Sequence, residues 1–280
     1  GTAGTAGSAY GIAIDTHNGT AADKGYIETG AVKMTLKGSN QDGTQAVGIA
    51  VTQDGSYKAS GYVDITAAGT TNNGKFAGID HAGTGSVTVQ DVKIKAGTSG
   101  AGEAFGVFNS GGGSFSGGNL DITAYSNGSI VNGIINQSLD SAGKTTFTTG
   151  NITMDLAGTG SEVYGILNGS HHGTLSNNAV DFLSGNIRIT ADNDGNLIGI
   201  TNKAGSTFAA KDINISGSGK WYMVGIENQT GNQIGMENLW IDLEKKAGSG
   251  GKMIGVSTPW VDMKSKNATV QLDNSNGTDT

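Results

Sequence analysis

The sequence predicts an all-β fold, a right-handed parallel β-helix of about nine three-stranded coils, with residues 1–280 forming one domain. Three observations predict it. The first is a phrase (apolar, Gly, Ile or Val, any residue, Asn) whose Gly recurs at Gly11, Gly48, Gly78, Gly106, Gly133, Gly165, Gly199, Gly225 and Gly255. The spacing is about 30 residues, the period of a solenoid repeat. The second is the residue after each Gly, always Ile or Val, from Ile12 and Ile49 through Ile226 to Val256. An unbroken column of this kind is what a continuous core along a stack requires. The third is a clean alternation of apolar and polar residues late in each repeat, the pattern of a half-buried strand.

Each repeat reads as three strands. The first holds the Gly phrase. A period of two puts the residues on either side of the Gly on one face and the Gly on the other. Carried along the stack, this predicts a groove of side-chain-free positions on the outer face, with Gly133, Gly165 and Gly199 at its middle. Phe108, Ile135 and Leu167, two residues after the Gly, then form an exposed apolar strip, the kind of surface that marks a contact site. A bend at the Gly, or a loop lying over the strip, would turn these residues inward or cover them instead. Asn follows the Gly by three residues at Asn109, Asn136, Asn168, Asn202 and Asn228. Asn suits turns, and stacked copies would form a ladder.

The second strand contributes one large apolar residue, usually nine after the Gly: Tyr57, Val87, Phe115, Phe147, Leu175, Phe208 and Ile234. Four residues on, Asp91, Asn119, Asn151, Asp212 and Asn238 mark a second turn, with Asn186 in the same slot. The third strand places pairs such as Val92/Ile94, Leu120/Ile122 and Ile213/Ile215 inward. Between each pair lies an outward residue, and the first four coils alternate in sign: Lys33, Asp64, Lys93, Asp121. Stacked neighbours of opposite charge attract and would hold the register. Right-handed winding follows from the general crossover preference.

Composition agrees and excludes several classes. Gly supplies 49 residues and Pro one, which rules out collagen. Charged residues are 15%, and β-branched residues are plentiful, unlike a disordered chain. No apolar run is long enough to span a bilayer, so direct membrane insertion of this segment is not expected. A net charge of −7 and a single Arg, Arg188, argue against nucleic acid as a partner. No Cys is present, and no cofactor is expected. The Gly/Thr/Ala start and the polar end read as the cut ends of a fragment of a longer chain.

Candidate sites are few. His171-His172 is the one His pair, but adjacent strand residues point apart and no acidic or Cys cluster of ligand spacing accompanies it. Asp192-Asn193-Asp194-Gly195-Asn196 resembles half a calcium loop, yet Lys203 stands where the closing Glu is required. The scattered carboxylates form no pair or cluster suited to a polysaccharide hydrolase or lyase, so no enzyme activity is expected. All three Trp lie late in the chain: Trp221, followed by Tyr222, then Trp240 and Trp260. Trp240 falls in an outward column. These aromatics either hold sugar rings through their faces or pack beneath the loops of the last coils.

The Gly-Ile-x-Asn phrase, the Gly-Ser turn and the Asn/Asp-Ile-x-Ile strand, set in an acidic Cys-free chain, resemble the passenger region of bacterial autotransporters, the type V secreted adhesins. The translocator barrel and signal sequence of that family have no counterpart in this chain, and no family catalytic residue maps onto it. The resemblance implies a secreted, cell-surface rod, attached to the outer membrane through a part of the chain not present here. It implies adhesion to host-cell or bacterial surface proteins or glycans, self-association, aggregation or biofilm formation. A polysaccharide-processing enzyme and a passive stalk are the alternatives.

Overall fold

The computed structural model describes residues 7–15, 24–38, 43–70, 72–138, 143–160, 162–169, 180–203, 205–229, 234–247, 250–258 and 263–275. Every element among them is a β-strand, and every strand pairing is parallel. Three sheets of nine strands each run the length of the molecule, and consecutive strands of the chain visit the three sheets in turn. The architecture is a parallel β-helix. The fourth coil shows the plan: a first strand Glu103–Ser110, a short second strand Ser114–Ser116 and a third strand Leu120–Ser126. Each strand pairs with its equivalent one coil away, so no helical crossover is needed.

One main core runs between the sheets. Its columns are the Ile/Val after each Gly, the large residue of the second strand, and the inward pairs of the third strand. In the second sheet Phe115, Phe147, Phe182 and Phe208 stack face to face, with centroids 4.5, 4.9 and 4.7 Å apart. The sixth coil's core residue is thus Phe182, on the strand Val180–Leu183. The sequence expectation at this place, Leu175, lies outside the described residues. An insertion delays the second strand here, and a fixed offset of nine from Gly165 falls short of it.

The repeat Gly column faces inward, which corrects the expected outer groove. Strand alternation is interrupted at the Gly, and the pairing skips it: Asn132 meets Tyr164 and Ile134 meets Ile166, with Gly133 and Gly165 unpaired between. The Gly and the residue after it both face the core, while the residue before it faces out. A Cβ on Gly133 would sit 2.6 Å from the Gly165 carbonyl oxygen, and one on Gly199 2.9 Å from Ile215 Cδ1. Gly165 is equally closed, against the Gly199 oxygen and Ile189. The third-strand side chain (Met154, Ile189 or Ile215) fills the space, so Gly is required for room; none of the three has a positive φ.

The apolar strip is corrected as well. Ile135 and Leu167 do lie on the outer face of the first sheet, but both are buried, at 5% and 1% exposure. They form a second cluster with Val47, Ala50, Ala77 and Phe105. Phe108 is half-buried beside it, with the Lys75 ammonium 5.0 Å from its ring centroid. Alternation distinguishes the two faces of a strand; it does not tell whether the outer one is covered.

Two polar ladders run along the stack. The five Asn of the first-strand phrase are fully buried and linked by Nδ2–H donation to the next Oδ1, at 2.8, 2.9, 2.8 and 3.0 Å from Asn109 to Asn228. The other amide hydrogen goes to a second-strand carbonyl one coil on: Thr146, Asp181 and Thr207 for the first three. His81 heads the ladder, its Nδ1 2.7 Å from Asn109 Oδ1. At the second turn an exposed ladder caps backbone N–H groups: Asn119 donates to Asp91 Oδ1, Asn151 to Asn119 Oδ1, Asn186 to Asn151 Oδ1. The sign-alternating column has the expected register, and Lys33–Asp64 and Lys93–Asp121 approach to 3.3 and 3.9 Å.

Candidate functional site

The core consumes nearly every large apolar side chain of the middle coils, so the exceptions locate the surface chemistry. Among the described residues away from the first and last coils, the exposed large apolar ones are Tyr62, Leu183, Trp221 and Trp240. Both described Trp lie in the seventh and eighth coils. Trp240 is 45% exposed, on the outer face of the third strand Asn238–Lys245. Its position follows from the alternation, since Leu239 and Ile241 on either side point into the core.

Trp221 is 57% exposed and occupies the corner between the third strand Asp212–Gly219 and the first strand Met223–Asn228. Its backbone N–H donates to the Gly195 oxygen at 3.4 Å. Tyr222 is half-buried, and its backbone N–H donates to Asn196 Oδ1 at 3.1 Å. Burial, and then the Glu227 carboxylate, raise the Tyr222 phenol above its ordinary pKa. Trp240 is level with Asn214, while Trp221 lies beyond Gly219 on the same strand path. At about 3.3 Å per residue the two rings are separated by on the order of 15 Å or more, so they form two platforms and not one pocket. Trp260 and His171-His172 lie outside the described residues.

Around Trp240 the third sheet presents a regular grid. Along one row, parallel pairing sets Arg188 beside Asn214 and Asn214 beside Trp240. The next outward row is Thr190, Ser216 and Asp242. The third is Asp192, Ser218 and Glu244. A depression of ≈ 390 Å³ lies over the second and third rows. Asp242 shares the face of Trp240 by alternation along one strand, whereas the register between coils is what sets Asn214 and Arg188 in the same row.

The half calcium loop takes a different form from a metal site. Lys246 Nζ lies 2.6 Å from Asp192 Oδ1 and 3.0 Å from Asp194 Oδ1, and Lys220 Nζ is 3.4 Å from Asp194. The Lys246 ammonium holds the Asp194 carboxyl below the usual carboxylate range. A side chain of the protein supplies the cation there. Among the described residues no group of three or more His, Asp or Glu stands together in a way that would hold a metal ion, and no helix is long and apolar enough to cross a membrane.

No protein-family model, curated protein sequence or solved structure matches the chain.

Proposed function

We propose that this chain is the adhesive rod of a cell-surface protein, without catalytic activity, that attaches to glycans or proteins on host or bacterial surfaces and promotes self-association. The observation that carries the reading is the exposure of Trp221 and Trp240 in coils next to those where Phe182 and Phe208 are stacked in the core. Exposed Trp on a rigid, otherwise polar surface is the chemistry of contact: a broad apolar face with a polar N–H edge. The scaffold suits the role. Stacked coils fix the wall, and variable segments between strands tolerate change without disturbing it. The carboxylates are spread along the wall, and several are engaged by Lys33, Lys93, Lys220 and Lys246. That distribution supports recognition over the paired-carboxylate chemistry of a glycosidase. Export, attachment to an outer membrane through another part of a longer chain, and a secreted location belong to the same proposal.

The test is to immobilise the chain and count attached epithelial and bacterial cells, while following self-association by sedimentation velocity. Attachment above a bare surface that drops in the Trp221→Ala/Trp240→Ala double variant is the expected result. A surface that retains no cells, from a chain that stays monomeric at all concentrations, would leave a passive spacer as the better description.

A further inference from the structure

We propose that the outer face of the third sheet over coils six to eight binds a neutral polysaccharide of pyranose units, with Trp240 as the stacking platform and Arg188, Asn214 and Asp242 as partners for its hydroxyls. The proposal rests on the adhesive reading above and narrows it to one face and one ligand chemistry.

The first support is that these groups are uncommitted. Among the described residues, the Trp240 indole N–H, the Arg188 guanidinium, the Asn214 amide and the Asp242 carboxylate have no hydrogen-bond or ion-pair partner. Elsewhere on the same sheet several charges are paired off: Lys33 with Asp64, Lys93 with Asp121, and Lys246 with Asp192 and Asp194. Arg188 and Asp242 carry opposite charges and lie two coils apart, about 10 Å at the spacing of parallel strands, too far to satisfy each other directly. Polar groups held on a rigid sheet and left unpaired are available to a ligand.

The second support is shape and composition. Trp240 stands up from a row of short side chains. Asn214 is beside it on one coil, Thr269 on the other, and Ser216 is diagonal to it. A ring laid on the indole therefore has its apolar face on carbon and its edge over Asn214 and Asp242. Sugar hydroxyls both donate and accept, and the grid offers both: a carboxylate that only accepts, a guanidinium that only donates, and an amide that does each. Hydrogen bonds to the charged pair are the stronger ones. The rows continue along the strands, so a chain of sugars has room beyond a single ring.

The third support is the ligand classes the face disfavours. Asp192, Asp242 and Glu244 line the depression beside this row, in a chain of net charge −7. An anionic polymer would meet repulsion there. A protein interface of ordinary stability has an apolar centre ringed by polar groups over roughly 800 Å² per partner, and this face has one Trp in a field of hydroxyls and carboxylates.

The test is affinity electrophoresis of the full chain in gels containing galactomannan, xyloglucan or a β-1,3-glucan, with polygalacturonate as the anionic arm. Retardation by at least one neutral polymer and none by polygalacturonate is expected. Trp240→Ala should weaken it about tenfold or more, the scale of a hot-spot aromatic, and Trp240→Tyr by less. Asp242→Ala should also weaken it. Lys93→Ala, on the same outward column five coils earlier, should match the unaltered chain. Trp240 is exposed, so its variants should keep the melting temperature, and calorimetry checks that they do. The proposal is overturned if no neutral polymer retards the chain, if polygalacturonate retards it more, or if folded Trp240→Ala migrates like the parent. Should cells attach while every neutral gel is silent, the polysaccharide assignment falls and the adhesive reading stands. Should a neutral gel retard a chain to which no cell attaches, the assignment stands and the adhesive reading falls.

Discussion

His81 shows how a single side chain can end a repeating structure. It occupies the slot filled by Asn109, Asn136, Asn168, Asn202 and Asn228 in the following coils, and it is fully buried. Asn109 spends both amide hydrogens on Asn136 and Thr146, so its Oδ1 must accept from His81. The hydrogen-bond network therefore assigns the proton to Nδ1. Nε2 has no partner among the described residues. Burial lowers the His81 pKa below its ordinary 6.5, a shift that the Asn109 bond and Asp80 oppose without cancelling. The unfolded chain then binds a proton more readily than the folded one. The associated stability is complete above pH 6.5 and is lost as pH falls from there toward the lowered value, with a slope of at most about 1.4 kcal/mol per pH unit. His81→Asn would extend the ladder by one amide and remove this titration. Urea unfolding between pH 7 and 5 should show the parent losing stability faster than the variant, while the carboxylates common to both cancel in the comparison. Parallel pH profiles would show that His81 does not carry the effect.

At the scale of the element, the two Asn ladders look alike in sequence and differ in consequence. The first-strand ladder is buried; the second-turn ladder is exposed. Removing Asn168 strands the Asn136 Nδ2, the Asn202 Oδ1 and the Thr207 carbonyl in the interior, where each lost bond costs its desolvation in full. Asn168→Ala should lower stability by about 3 kcal/mol, whereas Asn119→Ala, whose neighbours can turn to water, should cost under about 1 kcal/mol. Chemical denaturation of the two variants side by side checks the ratio, and similar losses would mean that the buried ladder is not what holds the coils in line. These elements also show where the sequence speaks and where it is silent. The third strand is legible because nothing interrupts its alternation: Leu239 and Ile241 inward fix Trp240 outward. The first strand misleads because the Gly breaks the period of two, so that Tyr164 and Ile166, symmetric about Gly165 in the sequence, lie on opposite faces. Phe182 was hidden by an insertion that displaced it from the offset obeyed by Phe115 and Phe208. The ninth coil's third strand, Asn267–Asp273, has only Ala268, Val270 and Leu272 on its alternate positions and no Ile pair to announce it. Burial of Ile135 and Leu167 has no local signature at all, because it depends on what lies across the sheet.

For the whole molecule, the decisive property is that each coil is held chiefly by the coils directly above and below it. The core columns, the Phe stack and the Asn ladder are all nearest-neighbour contacts repeated, and stability should be close to a sum over coils and their interfaces. In a globular domain, deleting a stretch of core unfolds everything. Here an in-frame deletion of residues 199–224 joins Ile198 to Gly225 and leaves every column in phase. Asn168 would donate to Asn228, Phe182 would stack on Ile234, and Ile187 and Ile189 would pack against Leu239 and Ile241. Lys246 already reaches across one intervening coil to Asp192 and Asp194, and would meet them with that coil removed. The shortened chain should therefore fold, keep its β circular dichroism per residue and unfold cooperatively, at a melting temperature lower by a few degrees for the lost interface. Its longest dimension in small-angle scattering should shrink by about 5 Å, the rise of one coil. The frame matters as much as the length. Deleting one residue more or fewer would set a Gly position against an Ile column, force side chains into the space that Gly165 and Gly225 leave for the third-strand Ile, and place one half of the rod out of register with the other. A shortened chain in correct phase that failed to fold, or an out-of-phase one that folded equally well, would show that something beyond stacking of equivalent coils determines this structure.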